Sequence, residues 1–115
     1  MFDFEKFEVY KKSKIFLSDI TSLIENGKRL NVRLADQLYR AALSIPLNIA
    51  EGAGRYSKPD KRNFYTIARG SVFECTAIID ILHDKGLIRA EQKDVYYNTL
   101  EEISKMLSGL INSLK

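Results

Sequence analysis

Apolar residues recur at steps of three and four along nearly the whole chain, and that period limits the fold to packed helices. Such positions share one face of a helix, whereas a half-buried strand needs alternation of period two. No sustained alternation of that kind occurs, and Asn26-Gly27 is the only Asn-Gly dipeptide. It follows a helical pattern, where it reads as a helix stop and not as a hairpin turn. The predicted fold class is therefore all-α.

Four segments carry the pattern. Helix one is predicted from Phe4 to Glu25, on a stripe of Phe7, Tyr10, Lys14, Leu17, Thr21 and Ile24, widened by Phe4, Ile15, Ile20 and Leu23. Helix two is predicted from Val32 to Ala53, with Leu34, Leu38, Ala41 or Ala42, Ile45 and Ile49 facing the core. Helix three is predicted from Lys58 to Asp84. Ser57 is its cap, Pro59 lies where no N–H is required, and Asp60 sits at the positive helix end. Its seam is Phe64, Ile67, Ser71, Cys75, Ile78 and Leu82, and Lys85-Gly86 stops it. Helix four is predicted from Ala90 to Leu114, on Leu100, Ile103, Leu107, Leu110 and Leu114. Short connections make neighbours antiparallel, which predicts an up-down-up-down four-helix bundle. The 115 residues suit one domain spanning 1–115.

Composition excludes several classes. With 45% hydrophobic and 29% charged residues the chain is globular, not disordered. No apolar run approaches the ~18 residues of a membrane span. "MFDFEKFEVYKK" lacks the basic start and apolar block of a secretion signal, so none is expected. The single cysteine, Cys75, excludes an intrachain disulfide and fits a reducing cytoplasm.

Charge is uneven. The net charge is +3, yet nine basic residues face three acids between Lys28 and Arg69, a segment of net +6 that leaves −3 elsewhere. A basic middle fits nucleic acid or another polyanion, an acidic protein surface, a second copy of the chain, or plain solvated charge.

Catalytic chemistry finds little to stand on. His83 is the only histidine and does not share a tight face with Cys75. One Asp80-x-x-His83 pair falls short of the two Glu-x-x-His motifs and two further glutamates of a di-iron bundle. No metal and no cofactor is expected. Cys75 lies on the apolar seam, as a small core residue would. "EGAGRYSK" is not a phosphate loop, because the spacing differs and no strand precedes it. It reads as a corner in which Gly52 or Gly54 takes a conformation closed to other residues. Pro46 predicts a kink or a restart of helix two capped by Ser44, and Gly70 suggests close packing or a surface irregularity.

A polar stripe of Arg40, Ser44, Asn48, Glu51 and Arg55 runs beside the core face of helix two. It is expected to pair with helix three, through Glu74 or Arg69, or with a neighbouring subunit. Isolated acid–base pairs of this kind are more often ion pairs than catalysts.

The run "QLYRAALSIPLNIAEGAGRYSKPDKRNFYTIARGSVFE", Gln37 to Glu74, resembles the four-helix-bundle family of intervening-sequence proteins. Their reading frames typically lie in inserts within bacterial 23S rRNA genes. Arg40, Ala42, Ser44, Ile45, Pro46, Asn48, Ile49, Ala50, Glu51, Gly52, Gly54 and Arg55 match the first part of the family pattern. Phe64, Ala68, Gly70, Ser71 and Glu74 match the second. The resemblance implies a bundle that assembles as a pentameric ring. A related type, the accessory variability determinant of diversity-generating retroelements, is similar in fold and engages a reverse transcriptase and nucleic acid. The resemblance supplies no catalytic residues.

The reading is a non-enzymatic, ring-forming bundle that binds RNA or a ribonucleoprotein. Arg29, Arg33, Lys58, Lys61 and Arg62 are its candidate phosphate contacts, and Tyr56 and Tyr65 its candidate stacking groups. The alternative is a protein–protein adaptor or structural assembly module without nucleic-acid binding. The wide apolar stripes of helices one and three point to a homo-oligomer.

Overall fold

The computed structural model describes residues 2–27 and 30–115. A 3-10 turn, Asp3–Lys6, precedes α1 (Glu8–Asn26), α2 (Val32–Ala53), α3 (Lys58–Asp84) and α4 (Ala90–Ser113). The described residues contain no strand.

Local chemistry sets the ends. The Asn31 side chain accepts a hydrogen bond from the Leu34 N–H at 3.0 Å, and Ser57 does the same for Asp60 at 3.2 Å. At the end of α3, the Leu87 N–H reaches the Leu82 carbonyl and the Gly86 N–H reaches that of His83, both at 2.9 Å. This is a Schellman closure, and it places Gly86 at φ 73°, where a side chain would be strained. Gly86 is the only described residue with a left-handed backbone.

Helix one differs from its predicted span. Phe7 is extended (φ −68°, ψ 128°), so α1 begins at Glu8. The break turns the preceding 3-10 segment back, and Phe4 meets the Tyr10 ring edge-on at 4.9 Å. The buried face differs too. Val9, Ser13, Phe16 and Ile20 point inward, while Ile15 is exposed and Tyr10, Leu17 and Thr21 are half-buried. A hydroxyl in the middle of the true stripe hid it. Ser13 is buried without penalty because its Oγ donates to the Tyr10 carbonyl at 2.7 Å.

Cross-helix contacts set the arrangement. Gln37 meets Glu74, Ser44 meets Ser71 at 2.8 Å, and Gly52 lies against Tyr65, so α2 and α3 run antiparallel. Lys93 reaches Asp80 at 2.9 Å and Arg69 reaches Ser108 at 3.0 Å, so α3 and α4 do likewise. Lys12 pairs with Glu102 at 2.7 Å and Phe16 with Tyr96, joining α1 to α4. Each helix touches its sequence neighbour, and α1 also touches α4. These contacts are consistent with an up-down-up-down bundle. The shared core includes Phe16, Ile45, Ile79, Ile103 and Leu107, none with any exposed surface.

Two expectations about special residues are corrected. Helix α2 continues through Pro46 without a restart, and Ser44 is not a cap. The Ser44 hydroxyl instead bonds the Ser71 hydroxyl and accepts from the Asn48 amide at 2.9 Å. Buried packing around Pro46 outweighs the ~3 kcal/mol that proline costs inside a helix. Gly52 and Gly54 do not adopt a left-handed backbone either. Gly52 lies within α2 and Gly54 sits at φ −83°, ψ −6°. What Gly52 supplies is space, since a Cβ there would stand 2.8 Å from the Tyr65 ring. A Cβ on Gly70 would meet nothing within 4 Å, so packing inside the chain does not require that glycine.

Candidate nucleic-acid interface

The corner joining α2 to α3, "GRYSKPDKR", carries four basic residues and one acid. Two of the bases hold the corner together. Lys61 Nζ donates to the Ala53 carbonyl at 2.9 Å, which satisfies the end of α2 and its negative dipole. Arg62 donates to the Leu114 carbonyl and ties the start of α3 to the end of α4. Both side chains are half-buried.

The outer layer is Arg55, Tyr56 and Lys58. The Arg55 guanidinium lies 4.5 Å from the Phe64 ring centre and donates to Glu51 at 3.0 Å. Stacking and pairing hold its plane in place while the residue stays exposed. Tyr56 is as exposed as a free residue, at 103%. A tyrosine with no packing role, between Arg55 and Lys58, offers a flat face beside two positive charges. Ser57, the next residue, caps the positive end of α3.

The five predicted phosphate contacts do not form one patch. Lys58, Lys61 and Arg62 share the corner. Arg33 is exposed at the first turn of α2, about 30 Å away along that helix. Arg29 lies outside the described residues. Tyr65 is corrected as a stacking candidate. It is buried at 3% exposure against Gly52, and burial pushes its phenol pKa up. Period alone does not separate Tyr56 from Tyr65. The corner boundary does, because only Tyr56 falls between helices.

The polar stripe divides into local pairs. Arg40 meets Asp36 at 3.5 Å, Glu51 meets Arg55, and Asn48 donates to both oxygens of Ser44. Cross-helix contacts come from Ser44 to Ser71 and from Gln37 to Glu74. Arg69 turns to α4 and Ser108, with its guanidinium 4.8 Å from the Phe73 ring centre.

No three His, Cys, Asp or Glu side chains among the described residues are grouped to hold a metal ion. Cys75 is fully buried, and burial, with Glu74 adding to it, pushes the thiol up to about 12. At pH 8 the thiolate fraction is then about one in ten thousand. The native chain is expected to resist alkylation by iodoacetamide and to label rapidly in denaturant. Equal labelling rates in the two states would contradict the buried position. No helix among the described residues is long and apolar enough to cross a membrane.

No curated protein matches the chain. Among solved structures, the chain is similar to a protein of unknown function from the S23 ribosomal protein family of Bacteroides thetaiotaomicron. That similarity has 29% identity and a TM-score of 0.84, covering 90% of this chain and 97% of the other. The family model described as "23S rRNA-intervening sequence protein" matches residues 5–109. With that match running from the 3-10 turn through most of α4, the chain belongs to the 23S rRNA-intervening sequence protein family.

Proposed function

We propose that this protein is a non-enzymatic bundle that assembles as a ring of five copies in the cytoplasm and binds RNA or a ribonucleoprotein. The contact surface is the α2–α3 corner. One observation carries the reading: Tyr56 is fully exposed between Arg55 and Lys58, at a corner already braced by Lys61 and Arg62. Phosphates need positive charge without base specificity, and an exposed aromatic face stacks on any base. A ring repeats the corner around its axis and multiplies a modest charge per chain.

Fluorescence anisotropy with a labelled single-stranded RNA over a salt series tests it. Affinity is expected to fall steeply with salt, and Lys58→Ala to reduce the log–log slope by about one. Tyr56→Ala is expected to weaken binding by about 1–3 kcal/mol. Arg33→Ala, far from the corner, is expected to leave the slope unchanged. Absence of salt-sensitive binding at low ionic strength would refute the reading.

A protein–protein adaptor is the second reading, favoured by the outward face of α3, where Ile67, Phe73 and Ile81 are 43–55% exposed. Co-purification of a protein partner that survives nuclease treatment would support it over the first.

A further inference from the structure

Few cations of the α2–α3 corner are open to a polyanion. Lys61 and Arg62 are half-buried and direct their donors to the Ala53 and Leu114 carbonyls. Arg55 shares its charge with Glu51, and Asp60 adds an acid between Lys58 and Lys61. Lys58 is exposed and has no acidic side chain within 4.0 Å among the described residues. Cations alone would rank nucleic acids in a definite order. A duplex carries one charge per ~1.7 Å of its axis and each of its strands one per ~3.4 Å, so charge by itself favours the duplex.

Tyr56 ranks them the other way. Its full exposure leaves the ring uncovered, and among the described residues no aromatic or cationic side chain stacks on it. Stacking on this ring requires a base with a free face. Inside a duplex each base is covered by the pairs above and below it, and the major groove of A-form RNA is too deep and narrow for side chains to read. Unpaired bases splay out and stack on aromatic side chains, which raises affinity by about 5- to 150-fold per base. With so little open charge beside it, the ring is the larger source of affinity at this corner.

We infer that the α2–α3 corner takes unpaired strands in preference to duplex, and that Tyr56 is the residue that discriminates. The inference rests on the nucleic-acid reading above and names the form of nucleic acid that the corner accepts. Tyr56 stacks on one unpaired base, while Arg55 and Lys58, its neighbours along the chain, meet the phosphates beside that base. The Arg55 guanidinium is already held by Phe64 and Glu51, so little side-chain freedom is lost when a phosphate arrives. Every base has a π-face, so the preference is for strand state and not for sequence.

Fluorescence anisotropy at one salt concentration tests the discrimination, with an RNA strand that does not pair with itself and with the same strand annealed to its full complement. A long blunt duplex confines free base faces to its two ends. The unaltered chain is expected to bind the strand at least about fivefold tighter than the duplex. Tyr56→Ala is expected to abolish that preference by weakening strand binding alone, and Tyr56→Phe to keep it, because the ring and not the hydroxyl stacks. Lys58→Ala is expected to weaken both ligands and leave their ratio within about twofold. Both positions are exposed, and thermal melts check that each variant folds. Equal or tighter binding of the duplex by the unaltered chain overturns the inference and leaves the nucleic-acid reading standing. A strand preference that survives Tyr56→Ala also overturns it, by placing the discrimination elsewhere. No salt-sensitive binding of either ligand overturns both.

Discussion

Gly52→Val is expected to lower the stability of the fold by about 3 kcal/mol, whereas Gly54→Ala, two residues on, is expected to be close to neutral. The two glycines look alike in the sequence, and their surroundings separate them. A Cβ at position 52 would stand 2.8 Å from Tyr65 Cε1 and 3.0 Å from Phe64 Cβ. The Tyr65 ring is buried and cannot swing into solvent, and Phe64 Cβ moves only with the backbone of α3. Valine adds two further methyl groups in the same place. Relief then requires α2 and α3 to separate, which weakens the Ser44–Ser71 contact and the reach of Lys61 to Ala53. At position 54 the nearest atom to a new Cβ is 3.6 Å away, the backbone is right-handed, and the residue is exposed. Alanine there gains helix propensity without a clash. Chemical denaturation followed by circular dichroism measures both. A chain of this size should lose roughly 12 °C in melting temperature with Gly52→Val. Equal midpoints for the two variants would mean that close α2–α3 packing does not depend on Gly52.

The second large effect concerns the face of α1. Phe16→Ala is expected to cost about 3–5 kcal/mol, and Ile15→Ala less than about 0.5 kcal/mol. Phe16 has no exposed surface, and its ring meets Tyr96 edge-on with centres 6.3 Å apart. Truncation leaves a cavity between α1 and α4, the helix pair with the least contact of the four neighbouring pairs. Ile15, next in sequence and equally apolar, is 61% exposed. A larger loss from Ile15→Ala than from Phe16→Ala would return the buried face of α1 to the stripe read from periodicity alone.

These two tests mark where sequence reading worked and where it stopped. Helices α2 and α3 have the predicted spans because their boundaries are chemical. Asn31 and Ser57 supply caps, and Gly86 supplies a Schellman closure. The start of α1 differs because Phe7 is extended, and its buried face differs because Ser13 satisfies itself on the Tyr10 carbonyl, a bond that hydrophobicity counting cannot see. Tyr65 was placed with the exposed groups because tyrosine suits both surface and core. Its neighbour across the interface, Gly52, settles the matter. The basic residues were legible as a cluster in sequence, but α2, about 30 Å long, sets Arg33 at one end of the bundle and Lys58 at the other.

By itself, then, the sequence determined the class of fold, the number of helices and most of their ends. Those depend on period, caps and glycine stops, which act within a few residues. Only the tertiary structure decided which face of α1 is buried, why Gly52 must be glycine, and which cations are struts and which are free. Each of these depends on atoms brought together from helices far apart in the chain, and no local pattern records that proximity.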